Sequence, residues 1–159
     1  MYRTGIGFDV HALAEDKLLT IGGVQIPHQK GLLGHSDADV LVHAVMDAVL
    51  GALALGDIGQ HFPDTDAESK CANSLELLSH VNRLADEKGF VCTNLDSIIM
   101  AEKPKMAPYL MKMRANLATA LKIKTEQVSI KATTTERLGL IGREEGIAAQ
   151  AIVLLNSIT

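Results

Sequence analysis

Apolar and polar positions alternate or recur along the chain in segments punctuated by Gly and Pro. Tyr2 to His11 carries β-type residues around Gly5 and Gly7 and predicts a first strand. Leu18–Ile21 and Val24–Ile26, split by Gly22-Gly23, predict a hairpin that Pro27 closes. Ser36 and Asp37 offer N-caps for a helix, with Asp39 in its first turn, where the helix dipole favours a negative charge. Val40, Leu41, Ala44, Val45, Ala48, Val49 and Leu53 then recur at helical spacing, and Gly56 supplies a stop. A second helix is predicted from Asn73 to Lys88, stopped by Gly89. Phe90 to Ala101 reads as a strand with a bend near Asn94. Pro104 and Pro108 mark a loop and the start of a third helix reaching Leu121. Val128–Ala132 and Ile147–Leu155 complete the set as strands. This order predicts an α+β fold over residues 1–159 as one domain: a single mixed β-sheet with helices packed on one face. The opposite face of that sheet needs cover, and self-association is the natural source of it.

Composition sharpens this picture. Hydrophobic residues make up 47% of the 159, but aromatics only 3%, with no Trp, so the core must be aliphatic. The net charge of −4 gives no electrostatic footprint for nucleic acid. No uncharged apolar run is long enough for a membrane span, and the first residues lack the features of a secretory signal. Cys71 and Cys92 read as reduced thiols, which together with these absences predicts a cytoplasmic protein.

Candidate chemistry collects in a few segments. Residues i and i+2 of a strand share a face, so Asp9 and His11 project together while Val10 is expected to point into the core. His43, inside an amphipathic helix, could add a third ligand and leave a fourth tetrahedral position open, although a lone helical histidine is more often a packing residue. Asp39 and Asp47, four residues to either side, are candidates to orient its ring. His35 and Ser36 sit at a helix start, where backbone N–H groups attract phosphate. The polar, acidic segment from Gly56 to Asp66 reads as a loop, either a lid or simply solvated. Thr133, Thr134 and Thr135 end a strand beside Glu136, a hard oxygen ligand suited to Mg²⁺ or Mn²⁺. Ala101, Glu102, Lys103, Pro104, Lys105, Met106 and Ala107 could form a base pocket or an ordinary surface loop.

Taken together, these segments resemble the 2-C-methyl-D-erythritol 2,4-cyclodiphosphate synthase family. Six motifs carry the resemblance in order along the whole chain: Gly7-Phe8-Asp9-Val10-His11; Gly34-His35-Ser36-Asp37-Ala38-Asp39 with His43; Gly56-Asp57-Ile58-Gly59 with Phe62-Pro63-Asp64-Thr65-Asp66; Pro104-Lys105-Met106; Lys131-Ala132-Thr133-Thr134-Thr135-Glu136; and Gly142-Arg143 with Glu145-Gly146. The resemblance implies a phosphorus–oxygen lyase of the non-mevalonate isoprenoid route. It would cyclise 4-diphosphocytidyl-2-C-methyl-D-erythritol 2-phosphate and release CMP. It implies a homotrimer whose sheets face the three-fold axis, with active sites between adjacent chains. By position, Asp9, His11 and His43 would bind Zn²⁺, and Glu136 would hold Mg²⁺ or Mn²⁺ against the substrate phosphates. His35 and Thr134 would stabilise the transition state. Ser36, Asp57 and Gly59 would position the methylerythritol part, Asp9, Val10, His11, His35 and Ile58 would also bind substrate, and the loop of Phe62, Pro63, Asp64, Thr65 and Asp66 would close over it. Ala101–Ala107 and Thr133–Glu136 would hold the cytidine diphosphate. Leu140, where many members carry an aromatic residue, and Arg143 would lie near an axial cavity linked to an isoprenoid diphosphate.

Overall fold

The computed structural model describes residues 1–34, 36–63 and 73–158. Four strands open the chain: β1 (Tyr2–Glu15), β2 (Leu19–Ile21), β3 (Val24–Ile26) and β4 (Lys30–Leu32). Helices α1 (Val40–Ala52), α2 (Ile58–His61) and α3 (Ser74–Glu87) follow, then β5 (Phe90–Met100), α4 (Leu110–Leu121), β6 (Val128–Thr133), α5 (Gly139–Gly142) and β7 (Gly146–Ser157). The principal sheet runs in the order β4-β1-β7-β5-β6. β1 is antiparallel to β7 and, at its far end, to β4; β5 is antiparallel to β7 and parallel to β6. The expected mixed sheet and α+β class are therefore present. β2 and β3 form the predicted hairpin. Gly22 and Gly23 turn it at φ 59° and φ 70°. Side chains resist such a left-handed pair, so glycine suits both positions.

Helix α1 is the centre of the molecule. The sequence reading treats it as amphipathic, yet every residue from Val40 to Leu50 except Asp47 is buried. It lies between β1 and β7 on one side and α3 on the other. Its approach to β1 depends on two missing side chains: a Cβ at Gly5 would sit 1.9 Å from the Ala48 carbonyl oxygen, and one at Gly7 1.9 Å from that of Ala44. Helix and strand thus meet backbone to backbone, and His43 comes down onto the odd-numbered residues of β1.

The start of α1 also differs from expectation. Its N-cap is Asp39, not Ser36 or Asp37; the Asp39 side chain accepts from Val42 N–H at 3.1 Å. The same carboxylate accepts from Gly22 N–H at 2.9 Å and Gly23 N–H at 2.7 Å, so one buried group ties the hairpin turn to the helix. α1 ends at Ala52, with Ala54 in the left-handed region, rather than running to Gly56. The second helix matches its prediction, capped by Asn73 and ended before Gly89, and β5 carries its irregularity between Cys92 and Asn94.

Among the described residues, the helices cover only the odd-numbered side of β1. Val10 consequently lies on the other side, 42% exposed, and does not enter the core as expected. It shares that uncovered side with Ile6 (61%), Phe8 (56%) and Ile152 (49%). No helix among the described residues is long and apolar enough to cross a membrane.

Candidate metal centre and nucleotide hollow

Three side chains converge where β1 meets α1. Asp9 Oδ2 lies 2.8 Å from His11 Nε2 and 3.0 Å from His43 Nδ1, and the two nitrogens are 3.1 Å apart. This is the Asp/His/His set expected from the sequence, and among the described residues it is the cluster of ligand atoms compact enough for one ion. An ion bonded at about 2.0–2.1 Å in tetrahedral geometry needs ligand atoms roughly 3.3 Å apart. The separations here are slightly tighter, so a small outward relaxation of the side chains would make room for a metal.

The tautomers fit as well. His11 Nδ1 donates to the Leu33 carbonyl oxygen at 2.8 Å. That leaves Nε2 with its lone pair toward Asp9 and His43. His43 turns Nδ1 toward Asp9 and Nε2 away, toward the hydroxyls of Ser74 at 3.2 Å and Ser36 at 3.3 Å. Burial disfavours the charged form of Asp9, but the two imidazoles outweigh it and hold the carboxyl well below the usual carboxylate range. Burial likewise opposes a cationic His11, and the Asp9 hydrogen bond and charge overcome it and raise the imidazole above its ordinary value.

Neither Asp39 nor Asp47 orients His43. Asp39 is committed to its three backbone donors, and Asp47 accepts from Ile58 N–H at 2.8 Å. That second contact fixes α2 one turn beyond His43. Asp57 caps α2, accepting from Gln60 N–H at 3.1 Å, so a helical turn over Ile58 and Gly59 replaces part of the expected loop. Phe62 is half-buried against His80, ring centroids 5.7 Å apart, and Pro63 is exposed. His35, Asp64, Thr65, Asp66 and Cys71 lie outside the described residues.

Around His43, sequence reasoning missed Ser74 and the role of Asp37. Ser74 begins α3, far along the chain from either ligand segment, and carries no motif. Asp37 reads as a cap candidate and instead accepts from the Ser74 hydroxyl and backbone N–H.

The predicted nucleotide residues form a separate feature. Ala101, Glu102, Pro104, Lys105, Met106 and Ala107, facing Ala132–Thr134, line an open hollow of about 220 Å³. Lys103 turns to an ion pair with Glu144 at 3.2 Å. The Glu102 carboxylate accepts from Thr135 N–H and Arg137 N–H, both at 3.1 Å, and so shapes the loop that presents Glu136. Glu136 is exposed, its backbone N–H on Thr134 Oγ1 at 3.2 Å, and stands apart from the Asp9 cluster. Leu140 is exposed, and Arg143 pairs with Glu145 at 2.9 Å. Thr133 pairs with Met100, one residue past Ile99 on β5, and Ile99 lies across β7 from Asp9. Asp9 and the Thr133 end of β6 are therefore three strand spacings apart, about 14 Å, at one end of the sheet.

Comparison with known proteins agrees with this geometry. The YgbB family model matches residues 2–156. A protein of Alkaliphilus metalliredigens (strain QYMF) named 2-C-methyl-D-erythritol 2,4-cyclodiphosphate synthase is 64% identical over 151 residues, 95% of this chain and 95% of its own length. The bifunctional IspDF from Campylobacter jejuni aligns at a TM-score of 0.95 and 46% identity over 99% of this chain, which spans 43% of that larger one. IspF of Plasmodium falciparum, solved as a CDP complex, aligns at a TM-score of 0.87 and 35% identity over 99% of this chain and 97% of its own. Matched from residue 2 to residue 156 and sharing both sequence and fold with these proteins, the chain belongs to the YgbB family.

Proposed function

We propose that the chain is a metal-dependent 2-C-methyl-D-erythritol 2,4-cyclodiphosphate synthase, a phosphorus–oxygen lyase. It converts 4-diphosphocytidyl-2-C-methyl-D-erythritol 2-phosphate into the cyclic diphosphate and CMP. The observation that carries this reading is the Asp9/His11/His43 cluster in a chain of this family. In the reaction an oxygen of the 2-phosphate bonds to the β-phosphorus, the bond from that phosphorus to the bridging oxygen breaks, and CMP departs with the electron pair. No general base is required, because the attacking oxygen is already anionic. Tethering supplies the effective concentration.

The remaining work is positioning and charge neutralisation. A Zn²⁺ held by Asp9, His11 and His43 would supply Lewis acidity at the β-phosphate. Ser36, whose hydroxyl lies 3.3 Å from His43 Nε2, helps position the methylerythritol part, and His35 stabilises the transition state. Asp57, Ile58 and Gly59 hold the methylerythritol part. The hollow of residues 101–107 and 132–134 takes the cytidine, and the CDP complex of the Plasmodium relative supports a cytidine nucleotide as ligand. Glu136 would hold Mg²⁺ or Mn²⁺, which would neutralise charge on the substrate phosphates, and Thr134 stabilises the transferring phosphoryl group.

Metal cluster and cytidine hollow stand about three strand spacings apart within one chain. A homotrimer that sets one chain's cluster beside its neighbour's hollow would join them, and the uncovered apolar side of the sheet supports such an assembly. An isoprenoid diphosphate on its axis would meet Leu140 and Arg143.

The decisive experiment incubates the purified protein with the cytidyl substrate in ¹⁸O-labelled water. A cyclic product and CMP, both free of label, are expected. Label in the product would instead favour a zinc phosphoesterase using a metal-bound hydroxide, and no turnover with metal present would leave a nucleotide-binding module. His43→Ala is expected to lose both bound zinc and turnover; full zinc by elemental analysis in that variant would sink the assignment.

A further inference from the structure

The nitrogen of His43 that faces Asp9 is Nδ1, so the proton of the neutral ring belongs on Nε2. Two hydroxyls stand there. Ser36 is half-buried, but Ser74 is fully buried and comes from the first turn of α3, outside both segments that carry ligands. The Ser74 hydroxyl donates to Asp37 Oδ1, and its backbone N–H donates to Asp37 Oδ2 at 3.1 Å. With its own proton committed to the carboxylate, Ser74 Oγ can only accept from His43 Nε2–H, 3.2 Å away. The arrangement is directional: carboxylate, hydroxyl, imidazole, with the imidazole lone pair left on Nδ1.

A purely structural account of Ser74 is a poor fit. The capping duty at the start of α3 is already met by Asn73, whose side chain accepts from Leu75 N–H at 2.9 Å. A hydroxyl buried in the first turn with its cap supplied by a neighbour has no helical reason to be there. Its contacts are the metal-ligand ring, the carboxylate behind it and the neighbouring Ser36 hydroxyl.

We propose that Ser74, backed by Asp37, is a positioning residue of the metal centre that fixes the tautomer and orientation of His43 and thereby sets metal affinity. The inference rests on the reading of Asp9, His11 and His43 as ligands. Partners that hold the far nitrogen of a ligating histidine orient the ring and raise its basicity, and their loss costs on the order of 10- to 100-fold in affinity. Here the partner hydroxyl reaches the ring from a third segment of the chain, which couples the start of α3 to an ion held by β1 and α1.

The test uses metal-free wild type, Ser74→Ala, Ser74→Thr and Asp37→Asn. Each is titrated with Zn²⁺ against a chromophoric chelator and with Co²⁺ followed by its visible absorption, and each metal-free protein is melted thermally. Ser74→Ala is expected to lose affinity on the order of 10- to 100-fold and to alter the Co²⁺ spectrum. Ser74→Thr, which keeps the hydroxyl, should recover affinity, and Asp37→Asn should weaken it. A helix-stabilising role alone would lower the metal-free melting temperature and leave the affinity and spectrum of the folded protein as in wild type; that result overturns the proposal. If Ser74→Ala does not fold, the less buried Asp37→Asn decides, unchanged affinity again overturning it. Wild type that takes up neither ion would overturn the ligand reading itself, a failure distinct from that of Ser74.

Discussion

At the scale of residues, the metal centre is sensitive to acid. Asp9 stays ionised far into acid, and His11 keeps its proton to a higher pH than an ordinary imidazole. Metal binding needs neutral His11, so the sign is fixed: affinity is full above the raised His11 value and falls as pH drops through it. A chelator-competition titration run downward in pH should show affinity falling by about tenfold per unit once His11 protonates, with the decline setting in at a higher pH than a free imidazole would give. Glu136→Gln should separate the two metals, weakening the dependence of turnover on added Mg²⁺ while leaving zinc content intact; an unchanged Mg²⁺ titration would remove its assigned role. Much of this centre was legible. Strand alternation places Asp9 and His11 together, and their chemistry marks them. Alternation says only that Val10 opposes them, not which side carries helices, so its direction was misjudged. Ser74 left no trace because it is 31 residues from His43 and meets it only through the fold.

At the scale of elements, the site depends on how close α1 can come to β1. The Gly7 position has a carbonyl oxygen where a Cβ would go, so Gly7→Ala must push the helix outward or break the strand. Overpacking in cores costs about 1–3 kcal/mol and occasionally more, and a clash with backbone rather than a movable side chain belongs at the upper end. Thermal melting of the metal-free protein should show that loss. Zinc affinity should fall with it, because His43 moves with the helix while Asp9 and His11 do not. The long elements were readable because each offers many periods of its pattern. β4, α2 and α5 span three or four residues, too few for any period to register, and they went unread. The true start of α1 was hidden for another reason: Asp39 caps it while also binding the hairpin turn at Gly22 and Gly23, a long-range demand that local capping rules do not contain.

At the scale of the whole molecule, the sheet has one side packed by helices and one side open, with Ile6, Phe8, Val10 and Ile152 across it. Exposed apolar area of this kind marks a surface awaiting a partner. Phe8→Glu should drive the protein toward monomers in sedimentation velocity while its helical content and zinc content persist. If the proposed homotrimer joins the hollow of one chain to the metal cluster of the next, turnover should fall as the assembly dissociates. The sequence reading anticipated the need for cover from the shortage of helices, but not which residues would require it. The antiparallel match of β1 with β7, from Tyr2 opposite Asn156 to Ala12 opposite Gly146, sets a timetable for biosynthesis. The strand bearing Asp9 and His11 is translated before its partner along that length, which comes after every other element described. Until the ribosome has released that final strand, the nascent chain lacks the β1–β7 ladder that lines up those two side chains, so during synthesis the complete Asp9/His11/His43 cluster is expected to form late.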